Sequence, residues 1–220
     1  MVSVTSSAAA PRSYREYCAV ARSLDLLGQR WTLLIVRDLM LGPQRYTDLH
    51  DGLPGIATDM LTARLRMLEA EGLVRRRELP PPAPATVYEL TEAGRGLGPV
   101  VRALGEVGLR LLDSPAPGEP VNPGPVVMSL NLTFRGGELT ETYGLEVDGR
   151  HFTVAVDRGG VRTERGAPAD PVATFRTDAR TLVALLRGET DSERALTEGR
   201  VDVEGDPEAL GRFAAAFGGG

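Results

Sequence analysis

Apolar residues recur at helical spacing along the first half of the chain and alternate along the second. Val20, Leu24 and Leu27 stand at i, i+4 and i+7 and predict a first helix ending near Gly28. The run 31–40 is apolar on nearly every face, which predicts a central helix stopped by Gly42-Pro43. Tyr46, Leu49 and Leu53 give one face of a short third helix, closed by Pro54-Gly55. Leu61, Leu65 and Leu68 stripe a fourth, which Gly72 ends. Two strand-like runs follow, 73–79 and 86–90, around a proline-rich tip at 80–85, and so predict a hairpin. Leu97, Val100, Val101, Leu104, Val107 and Leu111 then stripe another helix, packed from about Pro99.

Beyond residue 125 period two takes over. Strands are expected near 126–134, 138–147, 150–157, 160–164 and 173–177, with tight turns at Asp148-Gly149 and Arg158-Gly159-Gly160. Asp178 is placed to cap a helix over 179–187, and a second is expected over 191–198. A short strand within 199–206 and a last helix opened by Pro207 complete the pattern. The fold class is therefore α+β: a winged helix-turn-helix unit, then an antiparallel sheet with helices on one face.

Five prolines in residues 114–125 separate the two patterns. Proline fixes φ and lacks a donor, so this stretch reads as a semi-rigid linker. The expected organisation is a flexible tail (1–13), a DNA-binding domain (14–113), the linker (114–125) and a second domain (126–220).

Composition changes the picture only where it is divided. The net charge of -5 looks wrong for a partner of nucleic acid, yet residues 1–113 hold 14 Arg against 13 acids and residues 114–220 hold 11 against 17. The deficit lies in the second half, as expected if only the first approaches a polyanion. All 25 basic residues are arginine, a bias without a functional reading. One cysteine, Cys18, excludes an internal disulfide framework and suits a reducing compartment. No segment is long and apolar enough to span a membrane and the start carries no signal-peptide pattern, so a cytoplasmic location is expected.

Placing Leu61, Leu65 and Leu68 inward turns Asp59, Thr62, Ala63, Arg66 and Met67 outward at 100° per residue, with Arg64 at the flank. Thr58 is a candidate cap that leaves backbone amides near a phosphate. Arginine forks onto guanine and threonine meets a thymine methyl, so Thr58, Asp59, Thr62, Ala63 and Arg66 are the candidate base contacts. Arg45, Arg64 and the wing's Arg75, Arg76 and Arg77 are the candidate phosphate contacts. A solvated helix face with no partner is the alternative.

The runs 17–22, 28–35, 45–49, 61–65 and 87–91 (YCAVAR, GQRWTLLI, RYTDL, LTARL, VYELT) resemble the HxlR family, a branch of the MarR-like winged-helix regulators, over about residues 14–112. The resemblance implies a homodimer on a partly palindromic operator. Ala57 departs from it, standing where the family commonly has serine or threonine, which moves the expected cap to Thr58. Independently, the stripe Leu97, Val100, Val101, Leu104, Val107 and Leu111 exceeds what a small domain needs for its own core and is the expected dimerisation face; cover for the first helix is its alternative. Relatives of this type use a cysteine at the position of Cys18 to sense oxidants or aldehydes, which makes it a candidate redox sensor; the plainer reading is a small buried hydrophobe.

The segments 178–188 and 199–210 are similar to the sterol-carrier-protein family, a similarity reaching over about 126–218. It implies an apolar cavity, for which Leu130, Leu132, Phe134, Leu145, Phe152, Val154, Phe175, Leu182 and Leu186 are the candidate lining, with mutual packing as the alternative. His50 and His151 lie in different halves, and neither metal-ligand spacing, nor a phosphate-cradling glycine loop, nor a nucleophile elbow is present. No catalysis, metal or cofactor is expected. The expectation is a homodimeric regulator, a repressor, that binds double-stranded DNA and responds to a small apolar, lipid-like effector. A lipid carrier with a protein-binding winged helix, and a regulator whose second domain only scaffolds the dimer, are the rivals.

Overall fold

A computed structural model describes residues 13–81 and 84–217. Most of the expected tail, and part of the hairpin tip, lie outside the described residues. Ser13, within the expected tail, is held: its hydroxyl donates to Asp25 at 2.8 Å.

The N-terminal unit runs α1 (Ala19–Leu27), α2 (Thr32–Met40), β1 (Gln44–Arg45), α3 (Tyr46–Gly52), α4 (Thr58–Ala70), β2 (Val74–Leu79), β3 (Ala85–Leu90), α5 (Glu92–Arg95) and α6 (Gly98–Leu109). Its core gathers Ile35, Val36 and Leu39 of α2 with Leu49, Leu61, Leu65 and Leu68, all buried, so the stripe read from the sequence is the inward face of α4. β1 and β2 both pair with β3, which makes a three-stranded antiparallel sheet.

The C-terminal unit runs α7 (Pro123–Thr133), β4 (Glu141–Val147), β5 (Arg150–Asp157), β6 (Gly160–Arg165), β7 (Ala173–Thr177), α8 (Ala179–Leu186), α9 (Ser192–Thr197), β8 (Val201–Gly205) and α10 (Ala209–Phe217). Asp148 and Gly149, at φ 49° and 72°, turn β4 into β5 as their residue types require. Asp178 and Asp191 cap α8 and α9, accepting from the amides of Thr181 and Arg194.

Two expectations need correction. Residues 126–134 form no strand; they lie within α7 and at its C-cap. Pro123 stands in the first turn of this helix, where its missing N–H costs nothing. Val126, Val127 and Leu130 enter the C-terminal core while Leu132 faces the opening between the units and Met128 touches both, and a helix apolar on more than one side imitates strand alternation. The sheet, ordered β6-β5-β4-β7-β8, is not wholly antiparallel either, because β4 and β7 pair in parallel. The connection 166–172 carries the chain laterally past β5 and β4, so β7 arrives running with β4. The other three pairs are antiparallel.

The two units are joined closely. Leu41, at the end of α2, is 1% exposed and belongs to the C-terminal core. The Arg165 amide donates to the Leu41 carbonyl at 2.8 Å, and Asn122 Nδ2 donates to the Gly52 carbonyl at 3.0 Å. Arg180 donates to the carbonyls of Pro115, Ala116 and Glu119, which lays the proline-rich segment along α8. Asp38 of α2 lies near this junction, 2% exposed; burial pushes its carboxyl up, and Arg37 and Arg165 pull it partly back.

Candidate nucleic-acid interface

The site is built on α4. Leu61, Leu65 and Leu68 sit at 0–1% exposure, and their burial fixes which face turns outward. Asp59, Ala63 and Arg66 are exposed there, with Thr62 half-buried beside them, whereas Met67, expected outward, packs half-buried against the N-terminal core. Arg66 has no partner among the described residues. The cap expectation fails: Ala57 is the N-cap, with extended backbone and no side-chain hydrogen bond, and Thr58 is the first helical residue. The Met60 amide in the first turn of α4 donates instead to the Asp59 carboxylate at 2.8 Å, which places a negative side chain at the positive end of the helix.

Tyr46 does what the sequence did not reveal. From the start of α3 its hydroxyl donates to the Thr58 carbonyl at 2.8 Å and lies 3.3 Å from Thr62 Oγ1. It thereby ties the two helices of the helix-turn-helix together at the turn. The apolar spacing of Tyr46, Leu49 and Leu53 identified its helix, but nothing local announces a bond twelve residues away. Arg64 is likewise engaged, its Nε donating to the Arg30 carbonyl at 3.2 Å. Arg30 in turn lies 5.0 Å from the ring of Trp31, which takes a left-handed φ of 78° where α2 begins.

The wing arginines divide by face, as strand geometry demands. Arg75 and Arg77 both pair with Glu89 on β3, at 2.7 and 2.8 Å. Burial works against ionising Glu89, but these two arginines outweigh it and hold the carboxyl below its usual range. Arg76 points the other way, donating twice to Glu69 at the end of α4 and lying 5.6 Å from the Tyr88 ring. One ion pair thus links the wing to the end of α4. Arg45 is exposed at the start of α3, its amide donating to Asp48 at 3.2 Å.

Elsewhere, Leu97 at the N-cap of α6 and Val101 within it are half-buried, whereas Val100, Leu104 and Val107 of α6 and Leu111 just beyond it are exposed, and α6 buries none of its residues. Tyr17, Val20 and Leu24 of the first segment are exposed too. Cys18 is half-buried at the N-cap of α1. Of the nine expected lining residues, Leu130, Leu145, Phe152, Val154, Phe175 and Leu182 are buried in one core, with Phe134 and Leu186 packed against it. Leu132 alone among them borders the large cavity described below. Among the described residues no acid or histidine cluster suited to a metal occurs, and no helix is long and apolar enough to cross a membrane.

Residues 26–115 match the HxlR-like helix-turn-helix family. An HTH-type transcriptional regulator of Bacillus subtilis, YvaP, is 37% identical over 86 residues, 39% of this chain and 77% of that relative. The chain belongs to the HxlR-like family. A further HTH-type regulator, from Synechocystis, is 40% identical over 91 residues, 41% of this chain and 67% of its own length. The reduced form of the regulator YodB from B. subtilis shares 37% identity over 40% of this chain and 88% of that one, with a TM-score of 0.37. Residues 137–218 match the SCP-2 sterol transfer family. The HxlR-like protein therefore joins the helix-turn-helix DNA-binding domain of a transcriptional regulator to a sterol-carrier-like domain.

Proposed function

We propose that this protein is a cytoplasmic, homodimeric, sequence-specific transcriptional repressor whose DNA affinity is set by a small apolar effector. The observation that carries the DNA reading is the outward face of α4, held by Tyr46 on one side and by the Arg76–Glu69 pair on the other, with Arg66 exposed between them. Thr58, Asp59, Thr62, Ala63 and Arg66 meet base edges; Arg45, Arg64, Arg75, Arg76 and Arg77 meet phosphates. The wing arginines meet phosphate from their exposed sides, which makes their contribution salt-dependent.

Support for the dimer comes from α6 and the first segment, where Tyr17, Val20, Val100, Leu104, Val107 and Leu111 are large apolar side chains left exposed, which a second copy would cover. Two copies joined there present two recognition helices, which a duplex accepts about 34 Å apart.

Arg66→Ala is expected to cost about 1–3 kcal/mol on the preferred operator and to relax base preference at one position in each half-site. Arg76→Ala should weaken specific and random duplexes alike, lower the salt slope and loosen the wing. Fluorescence anisotropy with both duplexes over a salt series separates the two effects. Equal losses on both duplexes for both variants would overturn the assignment of Arg66 to bases.

A further inference from the structure

A large opening lies between the two units rather than inside the sterol-carrier-like core. It is a cavity of about 730 Å³ walled by α2, α6, α7 and β6, within the range of roughly 300–1,000 Å³ that small-molecule sites occupy. Leu33 and Leu34 of α2, Leu104 of α6, and Met128 and Leu132 of α7 make its surface mostly apolar. Among the described residues, the charged ones lining it are Arg37, Arg102 and Arg162, with no acid. Arg102 donates to the Asn131 carbonyl at 3.1 Å, a neutral partner that leaves its charge uncompensated. Arg37 is tied to the buried Asp38 at 2.8 Å, and Arg162 to the exposed Glu164 at 3.1 Å. Gly105 closes the α6–α7 contact at one end, since a Cβ there would stand 2.6 Å from a Leu132 methyl.

We propose that this inter-domain cavity is the effector site and that it takes an anionic amphiphile, its apolar body against Leu33, Met128 and Leu132 and its acid group against Arg102 and Arg162. An apolar wall gives affinity without direction, whereas the Arg102 guanidinium, held by a neutral carbonyl, and that of Arg162, shared with the exposed Glu164 outside the lining, favour an anion over a neutral molecule of equal size. The place also explains how an occupant would be felt. α2 carries Ile35, Val36 and Leu39 into the core beneath α4, and α6 carries the exposed face assigned to the dimer. Spreading α7 from α6 shifts both, and this consequence, unlike the binding itself, rests on the DNA-binding reading above.

The test uses the full chain without DNA and two fluorescent probes of one scaffold, 1-anilinonaphthalene-8-sulfonate and neutral N-phenyl-1-naphthylamine. The expected result is one saturable site per chain that prefers the sulfonate by about tenfold or more. The double variant Arg102→Gln/Arg162→Gln should lose that preference and keep the neutral probe. Leu33→Trp should exclude both probes; if it does not fold, Ser129→Phe enters the same space from α7. Equal affinity for the two probes would overturn the anionic assignment. Unchanged binding in the filled variant, or a dimer that takes neither probe, would overturn the site. Each outcome is read with no duplex present, so its failure is distinct from a failure of operator recognition.

Discussion

Val107→Glu is expected to give a folded monomer that binds its operator at least ~100-fold more weakly than the parent chain. Val107 is 57% exposed and α6 buries no residue, so the substitution removes nothing from either core. In a dimer joined through α6 the same position meets its symmetry mate or a close neighbour, and two carboxylates brought there lose water and repel one another. A monomer retains one recognition helix and one half-site. Sedimentation velocity reads the association state, and circular dichroism confirms that the chain stays folded. A variant that stays dimeric with unaltered operator affinity would place the interface elsewhere.

Phe213→Ala is expected to destabilise the C-terminal unit by about 3–5 kcal/mol, read as a fall in the midpoint of urea unfolding. Phe213 is 3% exposed and its ring contacts three others: Tyr143 edge-on at 5.2 Å, Phe175 at 5.3 Å and Phe217 at 4.5 Å. Such contacts add to the burial of each ring. The size of the loss decides between a filled interior and a hollow one, since truncating a side chain that lines an open cavity leaves no new void. A loss below about 1 kcal/mol would mean that the apolar cavity implied by the sterol-carrier resemblance is open at this place.

Much of the site was legible because one physical signal dominated it. Leu61, Leu65 and Leu68 recur at helical spacing on a helix buried along one side, so the inward face named the outward one. The wing was legible because its strands end in prolines that cannot donate. What stayed hidden came from contacts distant in sequence. Tyr46 reaches across twelve residues to Thr58, and each wing arginine has a carboxylate partner that no local pattern announces. α7 was misread for a related reason: it is buried on more than one side by two different units, and such a helix lacks the single stripe by which helices are recognised. The cavity was out of reach altogether, because its walls come from both halves of the chain. A reading that divides the sequence at the proline-rich segment assigns those walls to separate domains.

The most direct measurement is selection of bound duplexes from a randomised library by the full chain at low ionic strength, followed by sequencing. The outward face of α4, duplicated by two-fold symmetry, predicts enrichment of a pair of inverted half-sites spaced about one helical turn apart, and Arg66→Ala should erase one position from each. Recovered sequences indistinguishable from the input, or a single unpaired motif indifferent to Arg66, would contradict it.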